Sequence, residues 1–191
     1  TRVFKLATRM RELGIQPGDR VASYLPNIPE AVIAFFASAS IGAVWSSCSP
    51  DFGSASVIDR FSQITPKLLF TVNGYQYGGK YFDRSDEVWA MIKALPSLDH
   101  VVHIGSTDAE LSSFGARSLH LWDDLFSGPD IAGEDFQFEN TAFDHPLWIV
   151  YSSGTTGLPK PFVHGHGGVL LEALKFTHFH LNLKPTSCMF Y

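Results

Sequence analysis

The chain contains the stretch Tyr151-Ser-Ser-Gly-Thr-Thr-Gly-Leu-Pro-Lys160, which has the composition of a loop that binds phosphate. Gly154 and Gly157 permit backbone angles that other residues disfavour, so consecutive N–H groups there can turn toward one anion. The serine and threonine hydroxyls add hydrogen-bond donors, and Lys160 adds a positive charge. Residues 146–151, just ahead, form an apolar run typical of a buried strand. The sequence therefore predicts a strand that leads directly into a phosphate-binding loop.

This loop differs from the nucleotide loop of the P-loop ATPases. That loop has two glycines separated by four residues, followed by Lys and Ser or Thr at the start of a helix. Here Gly154 and Gly157 are three positions apart, and the residues after Lys160 favour an extended segment. The spacing disfavours a kinase or a GTPase. A Ser/Gly-rich turn between two strands is the alternative, although turns seldom combine so many hydroxyls with a Pro-Lys pair.

Strand and helix patterns alternate along the first hundred residues. Strands are predicted at 20–25, 43–48, 67–72 and 100–104, and helices at 3–13, 31–41, from Ser54 or Ser56 to Ile64, and at 87–95. Asn27 is predicted to cap the second helix, with Glu30 completing a capping box, and residues 31–41 are apolar nearly all round, which indicates a buried helix. This order predicts an α/β fold with a doubly wound, mostly parallel sheet and helices on both faces.

The second half of the chain follows a weaker pattern. Residues 105–144 are polar and weakly periodic, which predicts a surface excursion with a short helical turn within 119–126. After the loop, a strand is predicted at 162–164, a bend at 165–168, a helix at 169–176 and the start of a strand at 187–191. The whole chain, residues 1–191, is predicted to form part of one domain.

Composition narrows the class of protein. The 191 residues are 45% hydrophobic and 17% charged with a net charge of −5, which is typical of a globular protein and disfavours a nucleic-acid surface. No apolar run is long enough to span a bilayer. Cys48 and Cys188 have no spacing for a metal site or a disulfide framework, so a reducing, cytoplasmic setting is expected. No signal peptide is recognised, and because residue 1 is Thr and not Met, the natural start is expected to lie upstream.

The loop resembles the phosphate loop of the acyl-adenylate-forming, or AMP-binding, superfamily. The pattern there runs Tyr/Phe-Thr/Ser-Ser-Gly-Ser/Thr-Thr-Gly-x-Pro-Lys-Gly/Ala, and only Pro161 departs from it. Residues 18–32 and 41–53 are similar to the segment that precedes this loop in short-chain acyl-CoA synthetases. The features at 45–53, 78–84 and 163–168 are most similar to the branch that acts on acetoacetate.

The resemblance implies a two-step ligase reaction with small-molecule substrates. ATP, with Mg²⁺, would activate acetoacetate to an acyl-adenylate, and CoA would then displace AMP to form the thioester. It also implies that the loop holds the ATP phosphates and that Lys160 is a catalytic residue. The expected phosphate-binding residues are Ser152, Ser153, Gly154, Thr155, Thr156, Gly157 and Lys160. An acetyl- or propionyl-CoA synthetase is the alternative within the superfamily.

Two further groups are candidates for substrate contacts. Acetyl-CoA synthetases have an Arg-Gly-Gly-Arg segment that touches the CoA nucleotide, and Gly78, Gly79 and Lys80 match it, whereas Tyr77 departs from the first arginine. The alternative is a glycine turn with a solvated lysine. His164 is expected beside the acyl or nucleotide pocket, with a structural role as the alternative. The paired histidines lack further ligands at suitable spacing, so no metal site is expected in the protein itself.

Several motifs of the superfamily do not occur in the chain. These are the adenine-stacking segment with its acidic residue, the ribose-binding aspartate, the hinge and the lysine of the C-terminal lid domain. The chain is therefore expected to be an internal piece of the large N-terminal domain, without the lid. A catalytically inactive fragment that binds nucleotide weakly at most is the alternative from outside the enzymes.

Overall fold

The computed structural model describes residues 1–105, 117–129, 131–152 and 157–189. Within them, seven strands form one sheet, and two further strands form a separate hairpin. The sheet contains β1 (Arg20–Tyr24), β2 (Val44–Cys48), β3 (Leu68–Val72), β6 (His100–Ile104), β7 (Ser118–Leu121), β8 (Pro146–Ser152) and β9 (Lys160–Gly165), and the hairpin contains β4 (Gly74–Tyr77) and β5 (Lys80–Asp83). The helices are α1 (Arg2–Glu12), α2 (Pro29–Ser40), α3 (Ser54–Phe61), α4 (Ser85–Ala94) and α5 (His166–Lys175).

The sheet has the strand order β7-β6-β3-β1-β2-β8-β9. Every neighbouring pair is parallel except β8 and β9, which are antiparallel. Parallel strands require crossover connections, and α2, α3 and α4 lie in those that join β1, β2, β3 and β6. The predicted α/β class with a doubly wound, mostly parallel sheet is confirmed.

Helices cover the two faces of the sheet. Buried residues of α1 and α2, including Leu6, Met10 and Ala34, form one core cluster with Phe70 of β3. Buried residues of α3 and α4 form the second core cluster. They pack against the strand side chains that point to the opposite face of the sheet. Successive residues of a strand point to opposite faces of the sheet. Because helices cover both faces, β3 is buried at all five positions.

The predicted cap of the second helix is wrong. Ile28, not Asn27, is the N-cap residue of α2, and no side-chain cap hydrogen bond forms there. Ile28 has φ −128° and ψ 158°, because the residue before a proline is disfavoured from helical angles. Pro29 then occupies the first helical position, where its missing N–H costs no hydrogen bond.

The second helix is also less buried than its apolar sequence predicts. Ala34, Ala37 and Ser38 are its buried residues, whereas Val32 and Phe36 are each 51% exposed. The helix contacts the sheet with one side, so the apolar side chains on its other side remain open.

Residues 117–129 and 131–144, which were predicted to be a surface excursion, contain a strand of the sheet and contribute to the core. Residues 118–121 form β7, a parallel edge strand beside β6, and Asp123–Phe126 form the short helical turn that was predicted. Trp122, Leu125 and Phe136 are buried in the α1 cluster. The side chains of β7 are half-buried or exposed, as is common for an edge strand, so its sequence lacks a strong apolar pattern. Residues 106–116 lie outside the described residues.

The segment after β9 differs from its prediction in two places. Helix α5 begins at His166, with Gly165 as its extended N-cap residue, so the predicted bend at 165–168 does not form. A Cβ on Gly167 would lie 2.2 Å from the Phe143 ring, so glycine lets the helix start against that side chain. Residues 187–189 are irregular rather than a strand, since an extended segment becomes a strand only beside a hydrogen-bonded neighbour.

Candidate functional site

The predicted phosphate loop joins β8 to β9 at the carboxyl edge of the parallel strands. β8 runs parallel to β2, so it ends at the same edge as β1, β2 and β3. Ligands of open α/β sheets bind outside this edge. Ser153, Gly154, Thr155 and Thr156 lie outside the described residues, while Ser152, Gly157 and Lys160 are described.

The base of the loop brings its first and last polar side chains together. Ser152 pairs directly with Lys160 in the antiparallel register of β8 and β9. Directly paired residues place their side chains on the same face of a ribbon, with Cβ atoms about 5 Å apart. Lys160 is exposed, and Gly157 has φ +106°, a backbone angle that favours glycine. The described part of the loop therefore places the Ser152 hydroxyl beside the exposed Lys160 side chain.

Burial changes the titration of the groups beneath the loop. Burial raises the pKa of Tyr151 to about 12 and that of Cys48 to about 11. Both groups therefore stay neutral at physiological pH. The positive charge of Arg60 opposes the rise in pKa at both groups, but burial outweighs it.

The second candidate segment forms the β4–β5 hairpin, which the sequence did not predict. Tyr77 pairs with Lys80, and Gly78 and Gly79 form the two-residue turn between them, with φ of +56° and +76°. Two positive φ angles in succession are typical of a type I′ turn, which glycine favours. The turn residues and Lys80 are exposed, and whether this turn contacts CoA or is only a glycine turn with a solvated lysine stays a prediction.

Arg84 ties the hairpin to the edge of the sheet. Its Nε donates a hydrogen bond of 2.8 Å to the Pro50 carbonyl, and its guanidinium lies 5.4 Å from the centre of the Tyr75 ring. Tyr75 stacks on Phe82 across the hairpin, with ring centres 5.2 Å apart. A hydrogen bond to the Asp51 carboxylate raises the pKa of Tyr75. The hairpin is thus held over the segment that follows β2.

A cavity of about 600 Å³ lies between this hairpin and the carboxyl ends of β1, β2 and β3. Its lining is aromatic and polar: Pro26, Asn27, Ile28, Ser49, Pro50, Asp51, Val72, Gly74, Tyr75, Gln76, Tyr77 and Tyr81. Its size is within the usual range for a small-molecule site. Gly78, Gly79 and Lys80 do not line it, because they form the exposed tip of the hairpin beyond Tyr77.

His164 lies on β9 at a distance from the loop. It pairs with Trp148, and the two ring centres are 6.3 Å apart. Lys160 and His164 face the same side of the strand but are four residues apart, about 13 Å at the usual rise. His164 is exposed, so the structure does not bring it to the base of the loop.

A buried histidine that the sequence analysis missed supports the start of the hairpin. His103 is 1% exposed, and its Nδ1 lies 3.0 Å from the Thr71 hydroxyl. Its Nε2 lies 2.6 Å from the Asn73 side-chain oxygen, so the proton is on Nε2 and the Thr71 hydroxyl donates to Nδ1. Asn73 immediately precedes β4. These contacts join residues about 30 positions apart, and no local sequence signal announces them.

The described residues also bear on metal binding and on membrane insertion. No group of three or more His, Cys, Asp or Glu side chains there could hold a metal ion. None of the helices in residues 1–105, 117–129, 131–152 and 157–189 is both long and apolar enough to cross a membrane.

Comparison with known proteins adds a family-level match. The profile of the family described as AMP-binding enzyme matches residues 1–190. The acetoacetyl-CoA synthetase of Gallus gallus is 44% identical over 188 residues, which cover 97% of this chain and 28% of that protein. The acetoacetyl-coenzyme A synthetase of Rhizobium meliloti (strain 1021) is 43% identical over 192 residues, which cover 99% of this chain and 29% of that protein.

A solved structure is similar over nearly the same length. Acetoacetyl-CoA synthetase from Streptomyces lividans superposes with a TM-score of 0.87 and 47% sequence identity, over 96% of this chain and 27% of that one. The chain thus spans a little over a quarter of the length of the relatives it matches.

Proposed function

Because the chain belongs to the AMP-binding enzyme family, we propose that it is the phosphate-binding part of a ligase that converts acetoacetate to acetoacetyl-CoA. Sequence identity of 43% to 44% with the two acetoacetyl-CoA synthetases supports the choice of acid. The observation on which the proposal chiefly rests is the loop at the carboxyl edge of the sheet, closed at its base by the Ser152–Lys160 pair. ATP and CoA are the proposed co-substrates.

The first step is transfer of adenylate to the acid. A carboxylate oxygen of acetoacetate attacks the α-phosphorus of ATP, and the bond to the bridging oxygen breaks, so pyrophosphate leaves with the electron pair. Negative charge grows on the leaving group during this step. Groups that already surround the β- and γ-phosphates stabilise that charge without reorganising.

Lys160 and the loop are the proposed source of this stabilisation. Lys160 lies exposed at the start of β9, where its ammonium can reach an anion held by the loop. Ser152 faces the same side of the ribbon and offers a hydroxyl donor. The remaining proposed phosphate ligands are Ser153, Gly154, Thr155, Thr156 and Gly157. ATP enters as its Mg²⁺ complex, and the phosphates and water supply most of the ligands of that ion.

The second step transfers the acyl group to the thiol of CoA. The thiolate attacks the carbonyl carbon of the adenylate, and AMP leaves with the electron pair of the broken carbon–oxygen bond. We propose that Gly78, Gly79 and Lys80 contact the CoA nucleotide, because Lys80 presents a positive charge at the exposed tip of the hairpin. The cavity beside Tyr77 and Tyr81 gives apolar and aromatic surface next to that charge. His164 remains a proposed contact of the acyl or nucleotide pocket.

We infer that both steps take place in a longer polypeptide, as in the relatives, of which the chain spans 28% to 29%. The chain is then part of the large N-terminal domain, and a C-terminal lid domain completes the site. Cys48 and Cys188 are unpaired, which is consistent with the proposed cytoplasmic setting.

Acid-dependent exchange of labelled pyrophosphate into ATP tests this function. The polypeptide that contains this chain is assayed with acetoacetate, acetate and propionate side by side. We expect exchange with acetoacetate at a rate at least about tenfold above that with the other two acids, since substrate selection of this size needs only about 1.4 kcal/mol. Faster exchange with acetate or propionate would identify a different acyl-CoA synthetase, and no exchange with any acid would make the polypeptide an inactive relative.

A further inference from the structure

We propose that the carboxyl end of α3 and the turn that follows it position the phosphate loop, with Arg60 holding its entrance and Gln63 holding its exit. Both are positioning residues, since neither is placed among the phosphate ligands. The proposed effect on catalysis rests on the function given above, whereas the contacts themselves do not.

The exit of the loop is held by the Gln63 side chain. Its Nε2 donates a hydrogen bond of 3.0 Å to the Pro159 carbonyl, although the two residues are 96 positions apart. The same Nε2 donates to the Asp59 carbonyl at 2.7 Å, so the side chain bridges α3 and the loop. Pro159 immediately precedes Lys160. A shift of the Pro159 carbonyl therefore moves the peptide that leads into Lys160.

The entrance of the loop is held by Arg60. The Tyr151 hydroxyl donates a hydrogen bond of 2.9 Å to the Arg60 carbonyl, and the Arg60 guanidinium lies 5.8 Å from the centre of the Tyr151 ring. The guanidinium also lies 5.0 Å from the ring centre of Phe52, and its Nη1 donates to the Ser56 carbonyl at 2.6 Å. The last carbonyls of a helix lack the usual N–H partner four residues on, so the Arg60 carbonyl is open to the Tyr151 hydroxyl.

These two anchors belong to one short turn. The Gln63 N–H also donates to the Arg60 carbonyl at 3.2 Å, so the groups that hold the entrance and the exit are themselves joined. The turn therefore fixes the separation of Tyr151 and Pro159, which immediately precede Ser152 and Lys160, the two residues that pair at the base of the loop. Reaction rates are sensitive to this kind of placement, since an error of about 1 Å can cost about 100-fold.

Two substitutions at Gln63 test the exit contact in the full-length polypeptide. Gln63→Met keeps the size of the side chain and removes the donor, whereas Gln63→Glu also adds a negative charge. We expect both to lower kcat/KM for ATP in the exchange assay about tenfold, with KM for the acid and Tm unchanged. Gln137→Glu, at another exposed glutamine, is the matched control and should retain the parent rate. Tyr151→Phe tests the entrance and should also lower kcat/KM for ATP.

Amide hydrogen exchange gives a readout that does not depend on activity. We expect faster exchange at Gly157, Leu158 and Lys160 in Gln63→Met than in the parent protein. Parent values of both kcat/KM and amide exchange in Gln63→Met would overturn the proposal, and a loss in Gln63→Glu alone would assign the effect to charge. If the parent protein lacks pyrophosphate exchange with every acid, the proposed function fails, and amide exchange still decides whether Gln63 holds the loop.

Discussion

Strands β3 and β9 belong to the same sheet and differ in their surroundings. All five residues of β3 are buried, and Leu68, Leu69 and Phe70 are completely inaccessible. In β9, Lys160 to His164 are all exposed, although Phe162 and Val163 are as apolar as the residues of β3. The helices show the same contrast, since α4 has three buried residues and α5 has none.

The contrast distinguishes a buried region that stabilises the fold from an exposed region that can contact a ligand. The region around β1, β3 and β6, with helices on both sides, supplies the burial that stabilises the fold. The region of β8, β9 and the loop presents Lys160 to solvent, where a ligand can reach it. Apolar composition is similar in both, so it predicts the type of element without predicting whether neighbours cover it.

Truncation of Phe70 in the buried region should have the largest effect on stability. Its side chain is fully buried between Trp45 and Trp122, with ring centres 6.2 and 6.1 Å away. Phe70→Ala leaves a cavity that the neighbouring aromatic rings cannot fill. We expect the free energy of unfolding to fall by about 3–5 kcal/mol, measured by urea denaturation.

Phe162→Ala is the matched substitution in the exposed region. Phe162 is 50% exposed in β9, so its truncation should cost well under half as much as that of Phe70. Equal losses of unfolding free energy in the two variants would contradict the contrast between the regions, because they would mean that Phe162 is as buried in the protein as Phe70.

Gly74→Ala should separate the two steps of the proposed reaction. A Cβ at Gly74 would lie 2.2 Å from the Phe82 carbonyl oxygen, so β4 and β5 cannot keep their pairing. The hairpin is distinct from the phosphate loop. We expect thioester formation to fall about tenfold through misplaced CoA contacts, while pyrophosphate exchange stays within about twofold. Equal losses in both assays would argue against a separate CoA site on the hairpin.

The smallest expected effect is a loss of stability in mild acid through the His100–His120 pair. The two ring nitrogens are 3.2 Å apart, and burial followed by the charge of His100 lowers the pKa of His120. The unfolded chain then binds more protons than the folded chain below the ordinary histidine pKa. The free energy of unfolding should therefore fall as the pH drops from about 6.5 toward the lowered value.

Urea midpoints at pH 7.5 and pH 5.5 measure this dependence. His120→Gln keeps a hydrogen-bond donor for His100 and removes one titrating group, so its midpoint should depend less on pH. Some dependence should remain, because burial also lowers the pKa of His166. An unchanged pH dependence in His120→Gln would contradict the assignment to this pair.

Local patterns were sufficient for much of the fold. Apolar runs and turn residues predicted β1, β2, β3, β6 and β8 and the alternation with α1 to α4, since each element is specified by its own periodicity. The strand that enters the loop and the extended exit after Lys160 were predicted in the same way. Both are confirmed by the pairing of β8 with β9.

Features that depend on distant contacts were not predictable from these patterns. The hairpin at 74–83 is held by the hydrogen bond from Arg84 to the Pro50 carbonyl, and β7 pairs along its length with β6 but has no buried residue of its own. In the sequence, Gln63 is an ordinary polar residue after a helix, and only the fold places it next to Pro159. The roles of the loop residues and of Gly78, Gly79, Lys80 and His164 remain predictions.

The exchange rate of a Lys160→Ala variant tests the central claim most directly. Lys160 is exposed, so its removal should leave Tm unchanged, and loss of a preorganised charge should lower acid-dependent pyrophosphate exchange about 100-fold or more. Lys93→Ala, at an exposed lysine of α4, is the control and should exchange at the parent rate. Exchange by Lys160→Ala at the parent rate would contradict the account, because the exposed loop region would then supply no charge to the reaction.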